Sequence, residues 1–151
     1  MDARLLDAGE THHHVQRSGP TCTTVAASPP PLGQLDVCVA AHQTQSRGQR
    51  GRVWQAQLGH GFWLSLAWQG AIHFYDPGVV TQLFMLEVAD LLCQRGVQHI
   101  ALKWPNDLWC CDRKLGGILV DLTTISRAGT CAIVGIGINL HEPGLETFDP
   151  G

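Results

Sequence analysis

A single amphipathic helix among short β-rich segments is the feature that most constrains the fold of this chain. Asp76-Pro77 supplies a helix cap and a first-turn proline, and apolar residues then recur at helical spacing until Gly96. The apolar positions of this predicted helix are Val80, Leu83, Phe84, Val88, Leu91 and Leu92. The order of segments predicts an α/β or α+β fold, with a mixed β-sheet and flanking helices, rather than a helical bundle or a sandwich.

The predicted strands are short apolar runs rich in β-branched and aromatic residues. They lie at residues 35–42, 62–68, 99–104, 115–122 and 131–140. Pro105 stops the third strand, and Asp112-Arg113 is predicted to turn a hairpin between Trp109 and Leu115. Residues 1–34 lack a periodic pattern, which predicts loop with room for one early strand.

Length and charge narrow the class of protein. The 151 residues can build one hydrophobic core, and the net charge of -3 gives no general attraction to DNA or to an anionic membrane. We therefore expect neither DNA nor a membrane as a partner. The 6 cysteines form no CxxC and no dense scaffold, which favours a reducing compartment. Because no signal peptide or membrane-length apolar run is visible, a cytoplasmic location is expected.

The triplet His12-His13-His14 is the sequence pattern that most resembles a metal-binding motif. Adjacent side chains rarely converge on one ion, and no cysteine or acidic residue lies at ligand spacing. We therefore predict a solvated loop there and no metal site.

Two segments contain most of the candidate ligand-binding and catalytic residues. Residues 43–54 hold three arginines and two glycines between predicted strands, which suits either an anion-binding loop or a solvated basic loop. In residues 103–121, a strand, a proline stop and a hairpin would bring four polar residues to one end of the sheet, where ligand crevices are common. These four residues are Lys103, Asn106, Asp107 and Lys114. The alternative treats them as exposed charges and turn residues.

Together these blocks resemble the biotin protein ligase family closely. Residues 47–54, Arg-Gly-Gln-Arg-Gly-Arg-Val-Trp, match its glycine-arginine biotin loop. Lys-Trp-Pro-Asn-Asp-Leu at 103–108, followed by Asp-Arg-Lys-Leu-Gly-Gly-Ile-Leu-Val at 112–120, matches its most distinctive signature. Gly-Ile-Gly-Ile-Asn-Leu at 135–140 matches a third block in the right order. The resemblance runs from about Thr23 to Leu140.

The resemblance implies a class II synthetase-like biotin/lipoate ligase catalytic fold. Residues 1–20 are expected to be a flexible or partly ordered N-terminal segment. Residues 21–151 would form the catalytic domain, with the C-terminal part of the family architecture missing. No helix-turn-helix pattern precedes the matching region, so we expect a monofunctional ligase that does not bind DNA.

The activity implied is ATP-dependent conversion of biotin to biotinyl-5′-AMP, with Mg²⁺ accompanying ATP. Transfer to a lysine of a biotin carboxyl carrier protein or domain would follow. Two alternatives stay open: a protein that binds biotin or its adenylate with impaired transfer, and a lipoate or octanoate ligase of the same superfamily.

The resemblance also assigns site residues. Lys114 is the predicted catalytic cation near the α-phosphate, and Asp107 would hold the acceptor amine. The predicted biotin-binding residues are Thr23, Thr24, Gln43, Arg47, Gly48, Gln49, Lys114 and Gly117. The predicted nucleotide-binding residues are Arg47, Arg50, Trp54, Asn106, Lys114 and Asn139. Within this set, Trp54 would stack on adenine, and Asn106 would orient phosphates or Mg²⁺.

Gln49 departs from the family pattern, which usually has arginine at this place in the loop. Arginine can close the loop over the adenylate through forked, charge-assisted hydrogen bonds, whereas glutamine offers a neutral amide. We therefore expect weakened retention of biotinyl-adenylate.

Overall fold

The architecture is that of a computed structural model, which describes residues 11–15, 30–40, 43, 48–52, 54, 59–70, 76–124 and 129–140. The strands in this part of the chain are β1 (Thr11–Val15), β2 (Leu35–Ala40), β3 (Gly61–Gly70), β4 (Ile100–Lys103), β5 (Asp107–Cys110), β6 (Arg113–Thr124) and β7 (Thr130–Asn139). Helix α1 spans Pro77–Gln94, and a short 3-10 turn covers Gln49–Gly51.

The strands form one mixed sheet in the order β1-β2-β3-β7-β6-β5-β4. Strand β1 is parallel to β2, and every other neighbouring pair is antiparallel. The mixed sheet is as predicted, although the described residues contain one α-helix rather than several.

The solvated loop predicted at His12-His13-His14 is wrong. These three residues form the middle of β1 and pair with Val37, Cys38 and Val39 of β2. A strand is possible there without a periodic sequence pattern because backbone N–H and C=O groups, not side chains, make the ladder.

The hairpin between β5 and β6 turns one residue earlier than predicted. Cys111 and Asp112 adopt left-handed backbone conformations with φ of 49° and 60°. Two consecutive positive φ values are typical of the type I′ turn, whose twist matches that of two antiparallel strands. Arg113 therefore already belongs to β6.

Helix α1 begins where the sequence predicts. The side chain of Asp76 accepts a hydrogen bond from the backbone N–H of Gly78 at 2.7 Å, and Pro77 occupies the first turn. The last helical residue is Gln94, and Gly96 follows with φ of 90°. A glycine in this conformation is a common end to a helix.

The buried face of α1 differs in part from the prediction. Val80 is buried as expected, but Leu83 and Leu91 are 56% and 53% exposed. Met85, which was not predicted as a core residue, is fully buried. Leu83 and Leu91 lie away from the centre of the sheet-facing stripe, whereas Met85 falls within it. No helix in the described part of the chain combines the length and apolar character of a membrane span.

The core lies between α1 and one face of the sheet. Its fully or largely buried members are Val80, Met85, Leu108, Ile118, Val120, Val134, Ile136 and Ile138. Because successive strand residues point to opposite faces, Gly117 and Gly137, which neighbour these core positions, lie on the other face of the sheet. That second face carries the candidate site.

Candidate active site

Two glycines form the floor of the site. Gly117 of β6 pairs directly with Gly137 of β7, so neither strand has a side chain at this point. A Cβ atom at Gly117 would lie 3.2 Å from Cζ3 of Trp54, and one at Gly137 would lie 3.4 Å from its Cε2. The missing Cβ at Gly117 therefore lets the Trp54 indole approach the sheet closely, whereas the contact at Gly137 is an ordinary one.

Lys114 and Asp107 meet beside this floor. The Lys114 Nζ lies 2.7 Å from Oδ1 of Asp107, and it also lies 4.7 Å from the centroid of the Trp54 ring. The two side chains are 38% and 23% exposed, so the ion pair is reachable from solvent. The structure thus brings the two predicted catalytic residues into a charge-assisted hydrogen bond, with an aromatic ring beside the ammonium.

A β-bulge puts Lys114 on the site face. The register between β5 and β6 shifts between Leu108 and Trp109, and this leaves Leu115 as the extra residue. In a regular strand Lys114 would face the helix, since it is three residues before Gly117. The extra residue reverses that direction, so Lys114 reaches its carboxylate partner.

Two predicted nucleotide ligands hold the backbone of β6. Nδ2 of Asn106 donates to the carbonyl oxygen of Ile118 at 3.0 Å, and the Ile118 N–H donates back to the Asn106 carbonyl oxygen at 2.9 Å. Nδ2 of Asn139 donates to the carbonyl oxygen of Lys114 at 2.9 Å. Both amides therefore position the strand that carries Lys114, and their contacts with a nucleotide stay predictions.

A helix residue that the sequence reasoning missed supports the adjoining turn. Nε2 of Gln82, on α1, donates to the carbonyl oxygen of Pro105 at 2.6 Å. Pro105 lies in the turn that leads into β5 and Asp107, so this bond ties the helix to the site. The only sequence signal is a glutamine in the first turns of an apolar helix, and it does not identify a partner 23 residues away.

Lys103 lies at the same end of the sheet. It pairs with Asp107 across β4 and β5, and its Nζ lies 4.5 Å from the centroid of the Trp109 ring. The predicted convergence of Lys103, Asn106, Asp107 and Lys114 is therefore observed. Within this group, Lys114 forms an ion pair with the Asp107 carboxylate.

The glycine-arginine loop closes on itself where it is described. The N–H of Gly48 donates to the carbonyl oxygen of Arg52 at 2.8 Å, and the N–H of Arg52 donates to that of Gln49 at 3.2 Å. Gln43 and Gln49 are half-buried. The remaining predicted ligands, Thr23, Thr24, Arg47 and the side chain of Arg50, lie outside the described residues.

Two further features bear on ligands. The buried indole Nε1 of Trp63, which faces Gly137 across β3 and β7, has no hydrogen-bond partner in the described part of the chain. The described residues also contain no group of three or more His, Cys, Asp or Glu placed to hold a metal ion. Mg²⁺ as a companion of ATP stays a prediction.

A family model described as the biotin/lipoate A/B protein ligase family matches residues 20–139. The chain belongs to this family. The bifunctional ligase/repressor BirA of Salmonella typhimurium is 35% identical over 95% of this chain and 47% of its own length. BirA of Escherichia coli is 39% identical over 76% of this chain and 37% of its own length. The chain thus spans less than half of either relative.

Solved structures of biotin ligases share the fold. The biotin protein ligase from Aquifex aeolicus, in complex with biotin and ATP, has a TM-score of 0.71 at 26% identity, covering 92% of this chain and 55% of that one. The biotin acetyl coenzyme A carboxylase synthetase from Helicobacter pylori, with bound biotinylated ATP, has a TM-score of 0.70 at 25% identity, covering 94% and 66%. The ligase catalytic fold predicted from the sequence is confirmed.

Proposed function

We propose that this chain activates biotin with ATP to form biotinyl-5′-AMP and then transfers biotin to a lysine of a biotin carboxyl carrier protein or domain. The observation that carries the proposal is the Lys114–Asp107 pair, with Nζ and Oδ1 2.7 Å apart, beside the glycine floor. The family membership and the biotin and ATP bound by the Aquifex aeolicus ligase support the choice of substrates.

Lys114 serves the first half-reaction. The carboxylate of biotin attacks the α-phosphorus of ATP, pyrophosphate leaves, and negative charge develops on the phosphate oxygens. An ammonium group held in place before the reaction stabilises that charge without reorganising. The bulge and the hydrogen bond from Asn139 to the Lys114 backbone supply this positioning.

Asp107 serves the second half-reaction. The acceptor lysine must lose a proton before its amine can attack the carbonyl carbon of the adenylate and release AMP. A carboxylate next to the amine can accept a hydrogen bond or the proton itself. As Lys114 turns from Asp107 toward the phosphate, it leaves the Asp107 carboxylate available for the amine.

The remaining residues of the site suit the two substrates. Trp54 lies on the sheet floor next to Lys114, as a ring that contacts the adenylate would. The unpartnered N–H of Trp63 can donate to an acceptor on the ligand, which would remove the cost of leaving it buried without a bond. Gln43 and Gly117 are proposed to contact biotin.

The test is pyrophosphate release by this chain at saturating biotin and ATP. Lys114→Ala should lower the rate by about 100-fold to 1,000-fold, which is typical for the loss of one preorganised donor to a transition-state anion. Arg113→Ala removes an equal charge from the neighbouring exposed position and is the matched control. An unchanged rate in Lys114→Ala, or an equal loss in Arg113→Ala, would contradict the assignment.

A second assay tests the transfer of biotin to the carrier domain and the preference for biotin over other carboxylic acids. Labelled biotin should enter a purified carrier domain only when ATP is present, and unlabelled lipoate or octanoate should compete weakly. Adenylate formation without incorporation would indicate a binding protein with impaired transfer. Preferred use of lipoate or octanoate would assign the chain to another activity of the same family.

A further inference from the structure

Two adjacent cysteines occupy the tip of the β5–β6 hairpin, at the end of β5 opposite Asp107. Cys110 ends β5, and Cys111 begins the type I′ turn. Their Sγ atoms lie 3.9 Å apart, and Sγ of Cys110 lies 3.3 Å from the carbonyl oxygen of Gln98. Cys111 is exposed and Cys110 is half-buried, so both sulfurs are within reach of a reagent in solution.

The sulfur separation favours one shared partner atom over a disulfide. At 3.9 Å the two sulfurs are near enough for both to bond to one atom placed between them. A disulfide requires about 2.05 Å between the sulfurs and a Cα separation of at least about 4.4 Å. Adjacent Cα atoms across a trans peptide are only about 3.8 Å apart, so bridging these cysteines directly would strain the backbone.

A cavity of about 320 Å³ opens beside the two thiols. It is lined by His99, Ala101, Trp109, Cys110, Cys111 and Asp112. Ala101 and Trp109 give it an apolar wall that suits a flat organic group. A bridging atom that carries one organic group would place that group against this wall.

We propose that Cys110 and Cys111 form a dithiol site that captures trivalent arsenicals carrying one organic group. Each Sγ forms one bond to arsenic, the two S–H protons leave with the oxygen of the arsenical as water, and arsenic keeps its oxidation state. The organic group lies in the cavity against Trp109. Desolvation and the neighbouring Cys111 raise the pKa of the Cys110 thiol.

The probe is phenylarsine oxide, added in equal amount to the freshly reduced whole chain. Intact mass should show one phenylarsenic adduct, and two thiols should disappear from a thiol titration. A small dithiol should remove the adduct, whereas the same concentration of thiol groups from a monothiol should not. Cys110→Ser and Cys111→Ser should each abolish the dithiol-specific adduct, with circular dichroism confirming that both variants fold.

Cys93→Ser and Cys22→Ser are the matched controls and should keep the adduct. Cys93 is an exposed cysteine on α1. Persistence of the adduct in Cys110→Ser or Cys111→Ser would overturn the proposal, since another pair would then be responsible. Loss of two thiols before arsenic is added, with a mass lower by two hydrogen atoms, would show a disulfide and would also overturn it.

Discussion

The two neighbouring glycines Gly116 and Gly137 should respond in opposite ways to the same change. A Cβ added at Gly116 would lie 2.5 Å from the carbonyl oxygen of Gly137 and 2.8 Å from Cδ1 of Ile138. The carbonyl belongs to the β6–β7 ladder and cannot rotate away without breaking it. The three heavy atoms nearest to a Cβ at Gly137 all belong to Trp54, at 3.4 Å or more, which is ordinary van der Waals contact.

These contacts allow the change in unfolding free energy to be estimated for each variant. Overpacking of a tight interior costs about 1–3 kcal/mol, and more when the backbone must shift, so Gly116→Ala should lower the free energy of unfolding by at least about 2 kcal/mol. Alanine in an extended strand is favoured over glycine by about 0.5–1 kcal/mol where it fits, so Gly137→Ala should be neutral or slightly stabilising. Against a typical total of about 5–15 kcal/mol, the difference is easily measured.

Urea unfolding followed by tryptophan fluorescence is the assay, with both variants and the natural chain measured at the same concentration. The midpoint of Gly116→Ala should fall clearly below that of Gly137→Ala, with similar slopes. Equal midpoints, or a larger loss in Gly137→Ala, would refute the view that the sheet is closely packed on the α1 side at this point and tolerant on the site side.

Three further predictions concern single residues. Asn139→Ala removes the hydrogen bond to the Lys114 carbonyl and should cost about 0.5–1.5 kcal/mol of unfolding free energy in urea, and an unchanged midpoint would contradict this positioning role. Gln49→Arg should slow the release of biotinyl-adenylate by roughly tenfold to a hundredfold if the proposed function holds, and equal dissociation rates of the variant and the natural chain would count against it. Burial, with help from Asp36, raises the pKa of Cys131 above its ordinary 9.0, so its contribution to stability is complete below pH 9.0 and is lost as the pH rises through the folded value. The free energy of unfolding, measured at about three pH values per pH unit from pH 8 to 11, should therefore fall less steeply with pH in Cys131→Ala than in the natural chain. Parallel curves for the two proteins would refute the argument.

Local sequence determined the parts of the fold that depend on neighbouring residues. Asp76-Pro77 set the start of α1, because a cap and a first-turn proline act within one turn. The motif blocks identified the family and led to the prediction that Lys114 and Asp107 are catalytic, since those residue types occur together at fixed spacing. The central strands were visible as apolar runs, with ends off by a few residues.

Tertiary structure decided which groups meet. The bulge at Leu115 turned Lys114 to the site face, and the type I′ turn at Cys111-Asp112 brought two thiols to a hairpin tip. The bond from Asn139 to Lys114 joins residues 25 positions apart. None of these could be predicted from the pattern, because strand register depends on pairing between distant segments, and a shift of one residue reverses the face of every side chain.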